Sequence, residues 1–204
     1  MGEWRFEEKS MGEKSENMFE FEREPNPAEL WDKCVYGLLY DINGYKHDIR
    51  GLFTDLGISK DSSVIDVSAG GGFPSLDLVK DGYDITCVDG SDDQVALFDS
   101  KAEKAGVGTR CMKSLWKDLP HKFPKEKFDF LFCRGNSFIY ANGGWNVMAE
   151  IDFSNTVEGY KQTLSKFYDL LRPGAWIYID KFKDSETSNF EKIGKIKVKD
   201  RIED

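Results

Sequence analysis

The chain has 204 residues, 40% of them hydrophobic, and a net charge of −9 from 28 basic and 37 acidic side chains. That length suits one domain with a real core, and the acidic balance argues against a nucleic-acid backbone as partner, which needs clustered Lys and Arg. Four scattered cysteines read as buried free thiols in a reducing, cytoplasmic setting; two histidines without ligand spacing argue against zinc; and no apolar run has membrane-spanning or signal-peptide character.

Residues 1–24, rich in Glu and Lys with Trp4, Phe6, Phe19 and Phe21, read as an acidic N-terminal arm, either covering a partner or solvated. The domain occupies 25–204. Asn26-Pro27 caps and starts a helix, and Leu30, Cys34, Leu38 and Ile42 recur at helical spacing. A second helix runs from about Tyr45 to Leu56, with Ile49, Leu52, Phe53 and Leu56 as its stripe and Gly57 as its stop.

Strands and helices then alternate. Ser63–Val67 is a strand, Pro74–Lys80 a helix and Ile85–Val88 a strand. Ser91 caps a helix carrying Val95, Leu97, Phe98 and Ala102. A short strand spans about Thr109–Lys113. Phe128–Cys133 is apolar except for Asp129, as in a strand covered on both faces. A long helix covers about Thr156–Leu171, with Tyr160, Leu164, Phe167, Leu170 and Leu171 inward. Arg172-Pro173-Gly174 breaks it before the strand Ala175–Ile179, and Lys195–Ile202 alternates like one further strand. This β-α-β order implies an α/β fold: a mostly parallel, twisted, Rossmann-like sheet with helices on both faces.

The chemistry gathers where Val64-Ile65-Asp66-Val67-Ser68-Ala69-Gly70-Gly71-Gly72 is answered by Val88-Asp89-Gly90-Ser91. Glycines let a backbone approach a ligand closely, and a carboxylate ending the second strand accepts hydrogen bonds from ribose hydroxyls. Glycine-rich turns also serve only to reverse the chain. The dinucleotide fingerprint G-x-G-x-x-G fails, because Ser75 stands at its third glycine and Asp66 precedes the turn. No Gly-Lys-Ser/Thr follows, so a P-loop is disfavoured. The spacing Asp66-x-Ser68-x-Gly70-x-Gly72 resembles the D-x-G-x-G-x-G motif of class I S-adenosylmethionine (SAM) methyltransferases, with Ser68 in place of the first glycine.

That resemblance implies SAM as cofactor. The backbone of Gly70 to Gly72 would lie against its methionine part, Asp89 would hold the ribose, and Asp66, Ser68, Gly90 and Ser91 would belong to the same cofactor site. Leu115 and Trp116 would flank the adenine, Gln94 would cover its other face, and Cys133 would close the fourth strand's end. For Trp116 a plain core role is as good a reading. Class I methyltransferases end in two further strands forming an antiparallel hairpin. Only 24 residues follow Asp180 here, so the C-terminal strands are expected to be incomplete, in a shortened version or a piece of a longer protein.

Cys133-Arg134-Gly135-Asn136-Ser137-Phe138 after a strand, with Val88-Asp89-Gly90-Ser91-Asp92, Arg172-Pro173-Gly174 and Ile179-Asp180, resembles the glycine N-methyltransferase and glycine/sarcosine N-methyltransferase group. The resemblance spans roughly Tyr36 to Lys183. It implies methylation of glycine, sarcosine or dimethylglycine on the route to glycine betaine, with a small-molecule amine as partner and neither nucleic acid nor membrane. Asn136 would hold the substrate, and Tyr36, Tyr40 and Tyr45 would be candidates for a lid. The group's glycine-specific members carry an arginine just after Ile-Asp for the substrate carboxylate. Here Lys181 follows, so Lys181, Lys183 or Arg134 would substitute, although Lys lacks the bidentate fork of Arg. In-line methyl transfer to an amine relies on positioning, so no essential general base and no metal are expected. Other readings stay open: another small acceptor, a non-catalytic SAM-binding scaffold, or an NAD-dependent oxidoreductase. Nucleic-acid methylation is least favoured, since no N-P-P-Y motif follows the fourth strand. The oligomeric state is left undetermined.

Overall fold

In the computed structural model, residues 24–33, 42–135, 137–142, 156–182 and 190–197 are described, with the backbone alone at 42–45, 142, 156, 181–182 and 190–197. The strands among them form one sheet: β1 (Ser63–Asp66), β2 (Asp84–Asp89), β3 (Cys111–Lys113), β4 (Phe128–Cys133), β5 (Leu171–Phe182) and β6 (Phe190–Lys197). Their spatial order is β3-β2-β1-β4-β5-β6. The first five run parallel and β6 runs antiparallel to β5. Helices α1 (Pro27–Trp31) and α2 (Ile42–Asp55) precede the sheet, and α3 (Ser75–Lys80), α4 (Asp92–Lys104), α5 (Leu119–Lys122) and α6 (Thr156–Leu170) cross between strands. Strand order reverses between β1 and β4, the kind of switch point beyond which α/β sheets bind ligands.

β4 shows why the sheet sits between two helical layers. Phe130 and Phe132 join Phe53, Leu78 and Phe98 on one face. Leu131 and Cys133 join Leu119, Phe167 and Leu170 on the other. Phe53 of α2 meets Phe130 edge-on, with ring centroids 5.2 Å apart. Each fully buried Phe contributes about 1.5–3 kcal/mol. The doubly covered strand expected from the sequence is therefore present with the same bounds.

Local signals explain the other elements. Asn26 Oδ1 accepts from the Glu29 N–H at 2.9 Å and Glu29 Oε2 from the Asn26 N–H at 3.0 Å, a reciprocal cap on α1. The predicted continuation through Cys34 and Leu38 lies outside the described residues. α2 begins at Ile42 rather than near Tyr45. It is latched to α3 by Lys46–Asp77 at 2.9 Å and Arg50–Asp81 at 2.6 Å.

Arg172-Pro173-Gly174 behaves differently from expectation. It does not separate helix from strand; β5 already starts at Leu171. Phe128 pairs with Leu171 and Phe130 with Trp176, so the triplet is extruded as a bulge, with Gly174 at φ +84°. At the C-terminal end, β6 starts at Phe190, five residues before the strand expected over Lys195–Ile202, and residues 198–202 of that expectation lie outside the described residues. Among the described residues no helix is long and apolar enough to cross a membrane.

Candidate functional site

β1 ends in Asp66, which is fully buried. Its Oδ1 accepts from the Ser68 N–H at 3.0 Å and its Oδ2 from the Ser75 hydroxyl at 2.6 Å. Burial pushes its pKa up to about 6, with the Arg134 guanidinium and these two hydrogen bonds opposing the rise. Asp66 thus shapes the turn from behind. Gly70 and Gly72 take φ +52° and +101°, values that side chains with a Cβ avoid. The Gly70 N–H donates to Asp89 Oδ2 at 2.8 Å, tying the turn to the end of β2.

Asp89 Oδ1 accepts from the Ser91 N–H at 2.8 Å. Burial still leaves its carboxyl above the ordinary range. Ser91 Oγ caps α4 by accepting from the Gln94 N–H at 3.4 Å. This puts the Gln94 side chain beside the turn: a Cβ on Gly70 would sit 3.6 Å from Gln94 Oε1. Gln94 Oε1 is buried and meets no hydrogen-bond partner among the described residues. Such an acceptor costs about 1–3 kcal/mol until a donor arrives.

A cavity of about 430 Å³ opens over these strand ends. Of the predicted site residues, Ser68, Gly70, Asp89, Gly90, Gln94, Leu115, Trp116 and Arg134 line it. Asp66, Gly72, Ser91 and Cys133 are not among its lining residues. Trp116 is both wall and core: its Nε1–H donates to Val67 O at 2.6 Å, and its ring meets Phe167 edge-on at 5.4 Å. Arg134 is 1% exposed. Its N–H donates to Ser68 Oγ at 2.9 Å, and its guanidinium lies 5.4 Å from the Phe73 ring centroid. Tyr36, Tyr40, Asn136 and Lys183 lie outside the described residues. Tyr45 falls on α2 and Lys181 on β5, with the backbone alone described.

Sequence reasoning did not find Trp31 and gave no role to Tyr140, which also line the cavity. Trp31 arrives there through its neighbour: Lys101 Nζ on α4 donates to Asp32 Oδ2 at 2.5 Å. Nothing local in the sequence announces that long-range pair. Burial holds the Tyr140 phenol above its ordinary pKa, so it keeps its proton at neutral pH.

Residues 64–174, more than half of the chain, match the family described as a methyltransferase domain. The chain belongs to the methyltransferase-domain family. It is 29% identical over 117 residues to a glycine/sarcosine N-methyltransferase of Aphanothece halophytica, covering 57% of this chain and 39% of that protein. It is 24% identical over 180 residues to the glycine N-methyltransferase of Oryctolagus cuniculus, covering 84% and 57%. The chain thus spans well under two thirds of the length of these relatives. Two solved structures share the fold of this methyltransferase domain. One is an S-adenosylmethionine-dependent methyltransferase from Clostridium acetobutylicum, with TM-score 0.58 and 17% identity over 76% of this chain and 56% of that one. The other comes from Methanococcus maripaludis, with TM-score 0.57 and 19% identity over 80% and 68%.

Class I methyltransferase domains take their methyl group from SAM, and the residues present fit such a molecule. Gln94 Oε1 is a buried acceptor in need of a donor, and a nucleoside brings hydroxyl and amino donors. Asp89 retains acceptor capacity beyond its two backbone bonds.

Proposed function

We propose that this chain transfers the methyl group of SAM to the nitrogen of a small amino acid: glycine, sarcosine or dimethylglycine, as in glycine betaine synthesis. The observation that carries the donor half is the tie from Gly70 to Asp89 beside the buried acceptor Gln94 Oε1, on the lining of one cavity. The acceptor half draws on the likeness to proteins named for glycine and sarcosine. Residues 25–204 form the methyltransferase unit, in a cytoplasmic setting, with 1–24 as an arm.

Asp89 takes the ribose hydroxyls, with Gly90 and Ser91 completing that corner. The backbone of Gly70 to Gly72 lies along the methionine part, held in shape by Asp66 and Ser68. Leu115 and Trp116 flank the adenine and Gln94 covers its other face, while Cys133 fills space behind. Asn136 holds the acceptor and Tyr36, Tyr40 and Tyr45 cover it. Lys181, Lys183 and Arg134 are the cations available to carboxylates.

SAM, when bound, would supply a sulfonium methyl whose carbon an amine lone pair attacks in line, the C–S bond breaking and S-adenosylhomocysteine leaving. The chain's residues position. An acceptor held near attack geometry gains about 7–11 kcal/mol over free encounter. Tyr140 keeps its phenolic proton, so it is available as a hydrogen-bond donor and not as a base; the amine arrives already deprotonated. No histidine lines the cavity among the described residues.

Calorimetric titration with SAM, then S-adenosylhomocysteine release with glycine, sarcosine and dimethylglycine separately, tests the reading, with Asp89→Ala alongside. Binding lost in the variant and turnover on one acceptor support it. Absence of SAM binding by the folded chain would overturn it. Turnover only on another small amine, phenol or acid would favour a second reading. That reading draws on Lys181 standing where glycine-specific relatives carry arginine.

A further inference from the structure

In a chain whose net charge is −9, the cavity lining carries Lys117, Arg134 and Lys166 against Asp89 as its one carboxylate among the described residues. Arg134 lies in the fields of Asp66 and Asp89, which balance it. Lys117 and Lys166 have no such company. Neither makes an ion pair or a side-chain hydrogen bond with a described residue. The acids close to them in sequence are not on the lining: Asp118 follows Lys117, and Asp169, three residues after Lys166, is held by Lys125 at 3.8 Å. A single solvated lysine says nothing about ligands. Two from separate elements on one lining do, because their mutual repulsion is relieved when an anion enters between them.

Packing brings the two lysines together. Lys117 stands in the short turn Trp116–Asp118 and Lys166 on α6. Their chain neighbours Trp116 and Phe167 meet edge-on, with ring centroids 5.4 Å apart. Phe138 stacks on Tyr160 of α6 at 5.0 Å, and the Thr163 hydroxyl donates to Ala141 O at 3.5 Å, so the turn Ser137–Asn142 is seated against the same helix. Gln162 and Lys166 are one helical turn apart and both line the cavity. Lys166 is half-buried, where an anion is held more strongly than on an open surface; Lys117 is exposed. No residue of β5 up to Asp180 is on the lining, although glycine-specific relatives carry their carboxylate-binding arginine just after that point. We propose that Lys166 and Lys117 together hold the acid group of the acceptor, a carboxylate, from α6 and the turn after β3. The inference rests on the amino-acid N-methyltransferase reading above. The methyl donor is itself a net cation and gains nothing from two further positive charges. An amino acid whose nitrogen is deprotonated for attack is a net anion, so the two lysines favour that reactive form over the zwitterion.

The test is calorimetry on the full chain saturated with S-adenosylhomocysteine, with acetate as probe and acetamide, its uncharged isostere, as control. Wild type is expected to bind acetate about tenfold or more tightly than acetamide, with an affinity that falls as salt rises. Lys166→Met keeps the stem and removes the charge, and should weaken acetate about tenfold; Lys117→Met, at an exposed position, should weaken it about two- to fivefold. Lys166→Arg should retain acetate. Both methionine variants should bind S-adenosylhomocysteine as wild type does and raise KM for the amino-acid acceptor with little change in kcat, a split that a purely structural role would not produce. Equal binding of acetate and acetamide by wild type, or acetate affinity unchanged in both methionine variants, would overturn the inference and leave SAM binding and turnover standing. Acetate held through Lys166 without competing with the acceptor would assign the subsite to a separate anion and overturn the acceptor's place there. Failure of wild type to bind S-adenosylhomocysteine would overturn the SAM reading itself, and this inference with it.

Discussion

The Ser75 hydroxyl donates a 2.6 Å hydrogen bond to Asp66 Oδ2 across the glycine turn, both side chains being fully buried. The pair explains two departures from a dinucleotide-binding turn at once. An acid two residues before the turn needs a donor, and the serine standing at the third-glycine position supplies it. Removing the donor leaves a buried carboxylate short of one bond, at about 1.5–3 kcal/mol. Ser75→Ala should therefore lower the unfolding free energy in urea at neutral pH by that amount. A loss under about 0.5 kcal/mol would show that the bond contributes nothing net.

Asp66 also makes stability depend on pH in a direction opposite to a salt-bridged carboxylate. Its pKa is raised from 3.8 to about 6, chiefly by burial. Between those values the folded chain holds a proton that the unfolded chain has lost. Stability from this group therefore falls as pH rises from about 4 to 6, and above that window the ionised buried carboxylate costs on the order of 3 kcal/mol. Asp66→Asn removes the titration. The stability of wild type minus that of the variant should fall across pH 4–6 and stay flat above 7, as urea midpoints would record. A difference that rises through the window would contradict the assignment.

The parts of the site that local physics dictates were legible in the sequence. Glycines with positive φ at 70 and 72, the strand-ending Asp89 and the helix-capping Ser91 follow from short-range rules. Phe128–Cys133 was legible because a strand buried on both faces must be apolar throughout. Arg172-Pro173-Gly174 misled because its composition signals a turn, while pairing with β4 on both sides holds it in the sheet as a bulge. Arg134 was a candidate by position, but its burial was not, since arginine is almost never fully buried. Trp31 was invisible because the Lys101–Asp32 pair that brings α1 to α4 joins residues far apart in sequence.

Gly72 and Gly106 share a left-handed backbone, at φ +101° and +66°, but differ in surroundings. A Cβ on Gly106 meets nothing within 4 Å, whereas on Gly72 it would overlap Leu76, lying 2.7 Å from its Cγ. Both alanine variants bear the left-handed strain of about 1–2 kcal/mol. Only Gly72→Ala adds a packing clash of about 1–3 kcal/mol. Denaturation should rank the two accordingly, and Gly72→Ala alone should weaken S-adenosylhomocysteine binding. Equal costs would mean that the turn relaxes around the added methyl.

Lys101 and Asp32 offer a way to separate stability from ligand retention. Their 2.5 Å pair is partly exposed, at 36% and 22%, so its loss should cost less than about 1 kcal/mol. Yet Asp32 directly follows Trp31 on the cavity lining, and its Oδ1 would lie 2.9 Å from a Cβ on Gly71. The pair thus seats α1 against the glycine turn. Lys101→Met should leave the Tm nearly unchanged while S-adenosylhomocysteine dissociates several-fold faster in stopped flow, by analogy with a loosened clamp on a bound ligand. Raising the salt concentration should reproduce part of that acceleration in wild type, because screening weakens a partly exposed pair, and should add little in the variant. An unchanged dissociation rate in Lys101→Met would mean that α1 holds its place by apolar packing alone, with Trp31 indifferent to the ion pair.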